Sequence, residues 1–372
     1  IFMPLFRYKK TLLKKIFILL PIYLIAFLVA DTIFSNFFYM KPVKYGCIKK
    51  YEYFYELEKN CIAYEKLIGS VSPYKVFTDS KGYRYSGKKR KNPKDNTIII
   101  LGDSFAYGWA LDYEKSFVGM LENSQDKYFV NNLSVPSYSP TVYLYQIKKV
   151  QEEKVHPKKI FLALDLTDAM NEAHRWKKKF ENQPQLFIKA KKNRSNWQNF
   201  RHENFKGTRL LSMTINSFIR KLKHNIKNKR EIFVKPPIKS FWADFIHTDW
   251  SKLDQEKYWQ PYGIKDGLKR IEEKIYKISM IAKQMNSEFY IVIYPWADTL
   301  ENGQRYFNWE DFAYKICKNS YCNEVINVFP DFKYYKTKNE NWVKDLYLIG
   351  DPHLSEKGHK LVAKKIMKYL VK

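Results

Sequence analysis

Four aliphatic residues in a row, Ile98 to Leu101, stop abruptly at Gly102-Asp103-Ser104 and give way to an amphipathic stretch, a pattern that predicts strand, tight turn and helix. A run without polar interruption suits a strand buried on both faces, as in a parallel sheet covered by helices. The same alternation recurs down the chain. Tyr128 to Leu133 predicts a second strand, Tyr143 to Val150 an amphipathic helix, and Lys159 to Leu164 a third strand. Leu268, Ile271, Ile275, Ile278, Ala282 and Met285 share one helical face ahead of a fourth strand over Phe289 to Tyr294, and Glu324 to Val328 reads as a fifth. A closing helix carries Leu361, Val362, Ile366 and Leu370 on its apolar face behind an N-capping Ser355. Strands alternating with helices predict an α/β domain with a parallel, doubly wound five-stranded sheet over residues 97–371.

Three stretches break the pattern. Residues 172–260 are rich in Lys, Asn, Trp and Phe and too long for an ordinary connection, so they read as a partly helical insertion over the carboxyl edge of the sheet, a lid or a protein-docking surface. Residues 41–96 are aromatic and polar, with a turn signal at Asp79 to Arg84, and predict a small hairpin packing on the main sheet; contact of Tyr83 or Arg84 with substrate is the less favoured reading. Residues 1–40 hold an uncharged apolar run from Ile16 to Ala30 that continues past Asp31 to Met40, behind Arg7, Lys9, Lys10, Lys14 and Lys15. That predicts a transmembrane helix with its N-terminus in the cytoplasm and everything after Met40 exported to the periplasm or cell exterior. Leu28 ahead of Ala30 makes a poor cleavage pattern, which favours an uncleaved anchor over a signal peptide.

Composition adds charge to this picture. The formal balance of +28 comes from 66 Lys and Arg against 38 Asp and Glu, scattered with local thickening at Lys88 to Lys91, Lys177 to Lys179 and Lys189 to Arg194. Such a field solvates a surface or attracts acidic glycans and lipid head groups. No nucleic-acid-binding signature accompanies it, so nucleic acid is not expected as a partner. Four cysteines lie in two local pairs, Cys47 with Cys61 and Cys317 with Cys322, and in an oxidising compartment they suggest two bridges. Zinc is set aside because no CxxC pair or histidine at ligand spacing stands beside them.

The chemistry is carried by the two ends of the predicted domain. Ser104 is delivered at the carboxyl end of a strand, where open α/β sheets place their sites, and the following helix aims its first N–H groups back at it. Far along the chain, Gly350-Asp-Pro-His-Leu-Ser-Glu-Lys-Gly-His supplies Asp351 and His353 just ahead of a helix. Nucleophilic serine chemistry needs a hydroxyl, a base and a carboxylate that holds the base's tautomer, and Ser104, His353 and Asp351 fill those roles. His359 competes as a base by residue type but falls inside the predicted helix.

With Gly102-Asp103-Ser104 and Gly108 at one end and Asp351, His353, Gly358 and Ala363 at the other, the chain resembles the SGNH (GDSL-type) hydrolase superfamily, including its membrane-anchored members. The resemblance implies a flavodoxin-like sheet and acyl transfer through a covalent acyl-serine, with no cofactor and no metal. It implies an oxyanion held by the N–H groups of Ser104 and Ser137 and by the Thr167 hydroxyl, at positions where many members carry glycine and asparagine. It further implies an exported esterase or O-acyltransferase acting on O-acyl groups, acetyl above all, of envelope or extracellular carbohydrate. Asp165 and Asp168 beside Thr167 would oppose a developing oxyanion unless turned away or paired. These departures keep an alternative open, a weak or inactive SGNH-like domain that binds an acidic glycan or serves as an envelope-assembly scaffold.

Overall fold

The apolar run ahead of Gly102 lies in the middle of the main sheet. The computed structural model describes residues 19–23, 25–33, 46–51, 55–65, 73–89, 96–176, 263–304, 307–348 and 351–371. In chain order its strands are β1 (Ile48–Lys50), β2 (Tyr55–Leu57), β3 (Ile62–Glu65), β4 (Tyr74–Thr78), β5 (Arg84–Tyr85), β6 (Thr97–Leu101), β7 (Phe129–Asn132), β8 (Lys159–Leu164), β9 (Glu288–Ile293) and β10 (Glu324–Asn327). β1 and β2 pair with each other, and the rest form one sheet in the order β10-β9-β8-β6-β7-β5-β4-β3. The five strands from β6 to β10 run parallel, with Ile99 opposite Ile160 and Ile160 opposite Phe289 in register. Counted among themselves these five stand in the order 2-1-3-4-5, the flavodoxin-like arrangement, whose switch point lies between β6 and β8.

Alternation along these strands builds two cores, one on each face. Ile99, Leu101, Ile160, Leu162, Ile291 and Ile293 meet the helices Pro140–Glu152, Gly263–Gln284 and Trp309–Lys318. Ile98, Ile100, Phe161, Ala163 and Val292 meet Phe117–Asn123 and the closing helix Glu356–Val371. Ser355 caps that last helix, its hydroxyl accepting from the Gly358 N–H at 3.3 Å.

The sheet has eight strands rather than five. The hairpin does not pack on the sheet but lengthens it: β4 is antiparallel to both β3 and β5, and β5 joins β7 at Arg84 opposite Asn132. Without it β7 would be the edge of the parallel strands and present unpaired N–H and C=O groups, which an antiparallel neighbour satisfies better than a face contact would. Of the stretch expected to be an insertion, residues 172–260, Glu172, Ala173 and Trp176 are buried in the core, and residues 177–260 lie outside the described residues.

By its internal contacts the chain divides into two units, residues 1–42 with 191–235 and residues 43–190 with 236–372, and the sheet belongs to the second. In the first, residues 19–23 and 25–33 are helical with exposed apolar side chains such as Leu20 and Tyr23. Among the described residues no helix is long and apolar enough to cross a membrane, and residues 16–18 and 34–40 of the expected span lie outside them.

Candidate active site

The turn after β6 is built to hold a serine tightly. A Cβ on Gly102 would come within 2.6 Å of the Ala106 side chain and 3.1 Å of Ala163, so only glycine lets the helix approach the sheet this closely. Asp103 caps the short helix Ser104–Tyr107 by accepting from the Phe105 N–H at 2.9 Å, and Gly108 ends it at a φ of 80°. Arg84, fully buried, donates to the carbonyls of Tyr107, Gly108 (2.9 Å) and Leu111 (2.6 Å) and lays its guanidinium over the Tyr107 ring at 4.3 Å. The hairpin arginine therefore touches the nucleophile's own turn and is not presented to a substrate.

His353 arrives from the other end of the chain on a segment pinned by the Tyr347 to Leu354 bridge and by its own carbonyl, which accepts from Leu348 N–H at 2.9 Å. Its Nε2 lies 2.7 Å from Ser104 Oγ. Its Nδ1 is in hydrogen-bond contact with Asp351 Oδ1, which also accepts from the His353 backbone N–H at 2.9 Å. Burial pushes the Asp351 carboxyl up, but the hydrogen bonds and charge of His353 outweigh it and hold the group below its ordinary value. Phe105 packs on the imidazole at 4.8 Å between ring centres, with Trp109 at 6.1 Å. Ser104, His353 and Asp351 thus form one line, although 249 positions separate serine from histidine. His359 stays out of it: it is buried, its Nδ1 accepts from Phe117 N–H at 3.1 Å, and burial lowers it to about 3.

The expected oxyanion residues fare unequally. Ser137 sits at a φ of 61°, the left-handed region that glycine favours, so the backbone of a glycine position is kept with a side chain added. Thr167 differs from the expectation of a free donor. Its hydroxyl lies 2.6 Å from Asp165 Oδ1 and 3.2 Å from Asp103 Oδ2, and a hydroxyl has a single proton to give. Asp165 and Asp168 are paired as a capping box at the start of helix Leu166–Met170, with Asp168 Oδ2 accepting from Asp165 N–H at 2.9 Å. Asp165 also receives the Thr167 N–H at 2.7 Å and the Trp296 indole N–H at 3.3 Å. Burial, then the neighbouring Asp165 charge, raises Asp103 and Asp168 well above the carboxylate range; burial also raises Asp165, against its hydrogen bonds to Thr167 and Trp296.

Sequence reasoning missed three contributors. Asp103 stood inside the motif and was read only as turn, although an aspartate two residues before an unpaired helix N–H is an N-cap signal. Trp296 follows the carboxyl end of β9, the edge where such sheets place ligands, and position alone could have nominated it. Glu172, read as insertion, binds Ser139, Thr141 and Arg270 and fastens three helices behind the site; a lone glutamate gives no signal of that. The cysteines are bridged as Cys47 with Cys61 and Cys317 with Cys322.

Fold and site together define a doubly wound α/β protein with a Ser-His-Asp line at the switch point of its parallel strands. The chain belongs to the family described as protein of unknown function (DUF1574), whose model matches residues 12–294 and so includes Ser104 but stops short of Asp351 and His353. No curated protein matches it. Among solved structures it is similar to a member of the lipolytic G-D-S-L family from Veillonella parvula, at 14% identity and a TM-score of 0.40 over 74% of this chain and 98% of that one. It is also similar to the psychrotrophic esterase EstA from Pseudoalteromonas, at 14% identity and 0.39 over 75% and 100%. A catalytic mutant of the acetylxylan esterase Axe2 from Geobacillus stearothermophilus aligns at 9% identity and 0.37 over 73% and 93%.

Proposed function

We propose that this chain is an SGNH-type serine esterase or O-acyltransferase that works through an acyl-serine. The observation that carries the proposal is the 2.7 Å contact of Ser104 Oγ with His353 Nε2, with Asp351 on the opposite ring nitrogen. His353 Nε2 takes the serine proton as Oγ bonds to an ester carbonyl carbon. The carbonyl π pair becomes the oxyanion, facing the N–H groups of Ser104 and Ser137. On collapse the ester C–O bond breaks, the departing oxygen takes the proton from Nε2, and water or a sugar hydroxyl repeats the cycle on the acyl-enzyme.

The motif resemblance makes small O-acyl groups on carbohydrate, acetyl above all, the substrate class. Export behind an uncleaved N-terminal anchor is part of the same proposal; the basic residues before Ile16 and the two disulfide bridges support it. The insertion within 172–260 is the surface on which a protein partner would dock. The test is turnover of a chromogenic acetyl ester and labelling by a fluorophosphonate, in wild type and in Ser104→Ala. Wild type should turn over and label, and the variant should do neither; equal signals in both remove the proposal.

One observation favours a second reading, a glycan-binding domain without turnover. The Thr167 hydroxyl is engaged with Asp165, and losing one oxyanion donor costs roughly 10²–10³ in kcat. Binding of an acidic glycan that survives Ser104→Ala, in a protein that never labels, would select it.

A further inference from the structure

Three aspartates, Asp103, Asp165 and Asp168, lie beside the nucleophile with no more than 2% of their surface exposed. Among the described residues no group of three or more His, Cys, Asp or Glu side chains is arranged to hold a metal ion, and the hydrogen-bond partners of these carboxyls are neutral. Three adjacent carboxylates in a dry site would repel one another strongly, so protons must remove part of the charge. The geometry says where those protons sit.

Thr167 Oγ1 is flanked by Asp165 Oδ1 at 2.6 Å and Asp103 Oδ2 at 3.2 Å. Its one proton serves the shorter contact, so the contact with Asp103 is a hydrogen bond only if Asp103 is the donor. Asp165 is suited to the charge, because the Thr167 N–H, the Thr167 hydroxyl and the Trp296 indole all point at it. The same reasoning applies to Asp168. Tyr143 Oη lies 3.2 Å from the Tyr138 carbonyl, which can only accept, and 3.1 Å from Asp168 Oδ1. Both contacts are hydrogen bonds only if the tyrosine proton goes to the carbonyl and Asp168 is the donor to the tyrosine oxygen.

We propose that at neutral pH Asp103 and Asp168 are carboxylic acids and Asp165 is the one carboxylate of the cluster, which makes Asp103 a positioning residue for Ser104. Asp103 Oδ2 lies 3.5 Å from Ser104 Oγ. A carboxylate at that position would compete with His353 for the serine proton and oppose the oxyanion. The neutral acid does neither, because its proton is handed to Thr167 and the serine proton is left to the imidazole at 2.7 Å. The groups that face Asp103 from other elements are Asp165 and Asp168 after β8, Tyr143 on the helix beyond β7, Tyr294 after β9, and His353, which reaches Ser104 and Asp165 from the closing segment. Only His353 among them can become cationic, and burial with the Asp165 charge drives Asp103 in the direction of its protonated form. The consequence for Ser104 rests on the acyl-transfer reading; the protonation pattern does not.

The full chain in its native state is measured by infrared spectroscopy, where a protonated carboxyl has a C=O stretch separate from that of a carboxylate. Wild type at neutral pH should show that band, with part of its intensity lost in Asp103→Asn and another part in Asp168→Asn. A wild-type spectrum without the band overturns the proposal even where a variant does not fold, and so does a band whose intensity survives Asp103→Asn or Asp168→Asn. Acetyl-ester turnover supplies the second arm. Asp103→Asn, whose amide donates to Thr167 without a charge, should exceed Asp103→Ala by at least tenfold in kcat with KM little changed. Equal turnover in the two variants, or a difference confined to KM, overturns the positioning role. If wild type and Ser104→Ala turn over equally, the acyl-transfer reading fails separately and the infrared bands still decide the protonation.

Discussion

Asp351 holds one hydrogen bond to the His353 ring and one to its backbone, so its work is to fix a tautomer. Asp351→Asn keeps the shape but can turn an amide N–H to Nδ1, which places the imidazole proton on Nε2 and leaves that nitrogen unable to accept from Ser104. Acetyl-ester kcat should fall by roughly 10⁴ with little change in KM, as in other triads. A fall of less than tenfold would mean that His353 is oriented by something else. The depressed Asp351 pKa carries a stability sign as well: its contribution is present above the ordinary value of 3.8 and is lost as pH falls through the folded value. At this scale the sequence was legible where residue type and spacing coincide with a role, as at Ser104, Asp351 and His353. It nominated the Thr167 hydroxyl as an oxyanion donor but not its engagement with Asp165, because the fate of that one proton depends on Asp103 and Asp165, which follow different strands and meet only in three dimensions.

The four-residue helix that carries Ser104 is too short to be stable by its own hydrogen bonds, so its geometry is borrowed from neighbouring elements. Gly102 fits it against β8, Asp103 caps its start, and Arg84 on β5 ties down its end. Arg84→Met leaves the carbonyls of Tyr107, Gly108 and Leu111 without their buried donor and should cost about 3–5 kcal/mol in denaturant unfolding. Arg84→Lys keeps the charge but cannot fork across three carbonyls, so it should recover part of that stability while Ser104 reacts more slowly with fluorophosphonate. Unchanged labelling in both variants would show that the hairpin does not set the nucleophile's position. The parallel strands β6, β8 and β9 were readable because their apolar runs are uninterrupted, and the shorter β7 and β10 because they recur in alternation with helices. β5 was not, since two residues carry no periodicity, and an arginine in a turn-rich segment reads as exposed until the sheet edge that buries it is known.

Across the whole molecule the site joins the two ends of the second unit, and a second long-range contact shadows it: His359 on the closing helix accepts from Phe117, 242 positions away, at the start of the helix that follows the serine turn. Burial, with smaller effects from His353 and Arg84, lowers His359 from 6.5 to about 3, so the folded protein keeps it neutral where an unfolded chain would protonate it. A depressed pKa contributes stability that is complete above 6.5 and lost as pH falls toward 3, on the order of 5 kcal/mol over that window. The buried Asp103 and Asp168 act with the opposite sign: their raised values contribute stability that is complete below 3.8 and lost as pH rises through the folded values. Between 6.5 and about 4, therefore, acidification destabilises the fold through His359 and stabilises it through the two aspartates, whose slopes have the opposite sign. His359→Gln, which keeps an acceptor for the Phe117 N–H but cannot be protonated, removes only the destabilising slope, so its Tm relative to wild type should rise as pH falls across that interval and stay constant above 6.5. A Tm difference between variant and wild type that does not change with pH would show that His359 does not couple protonation to folding.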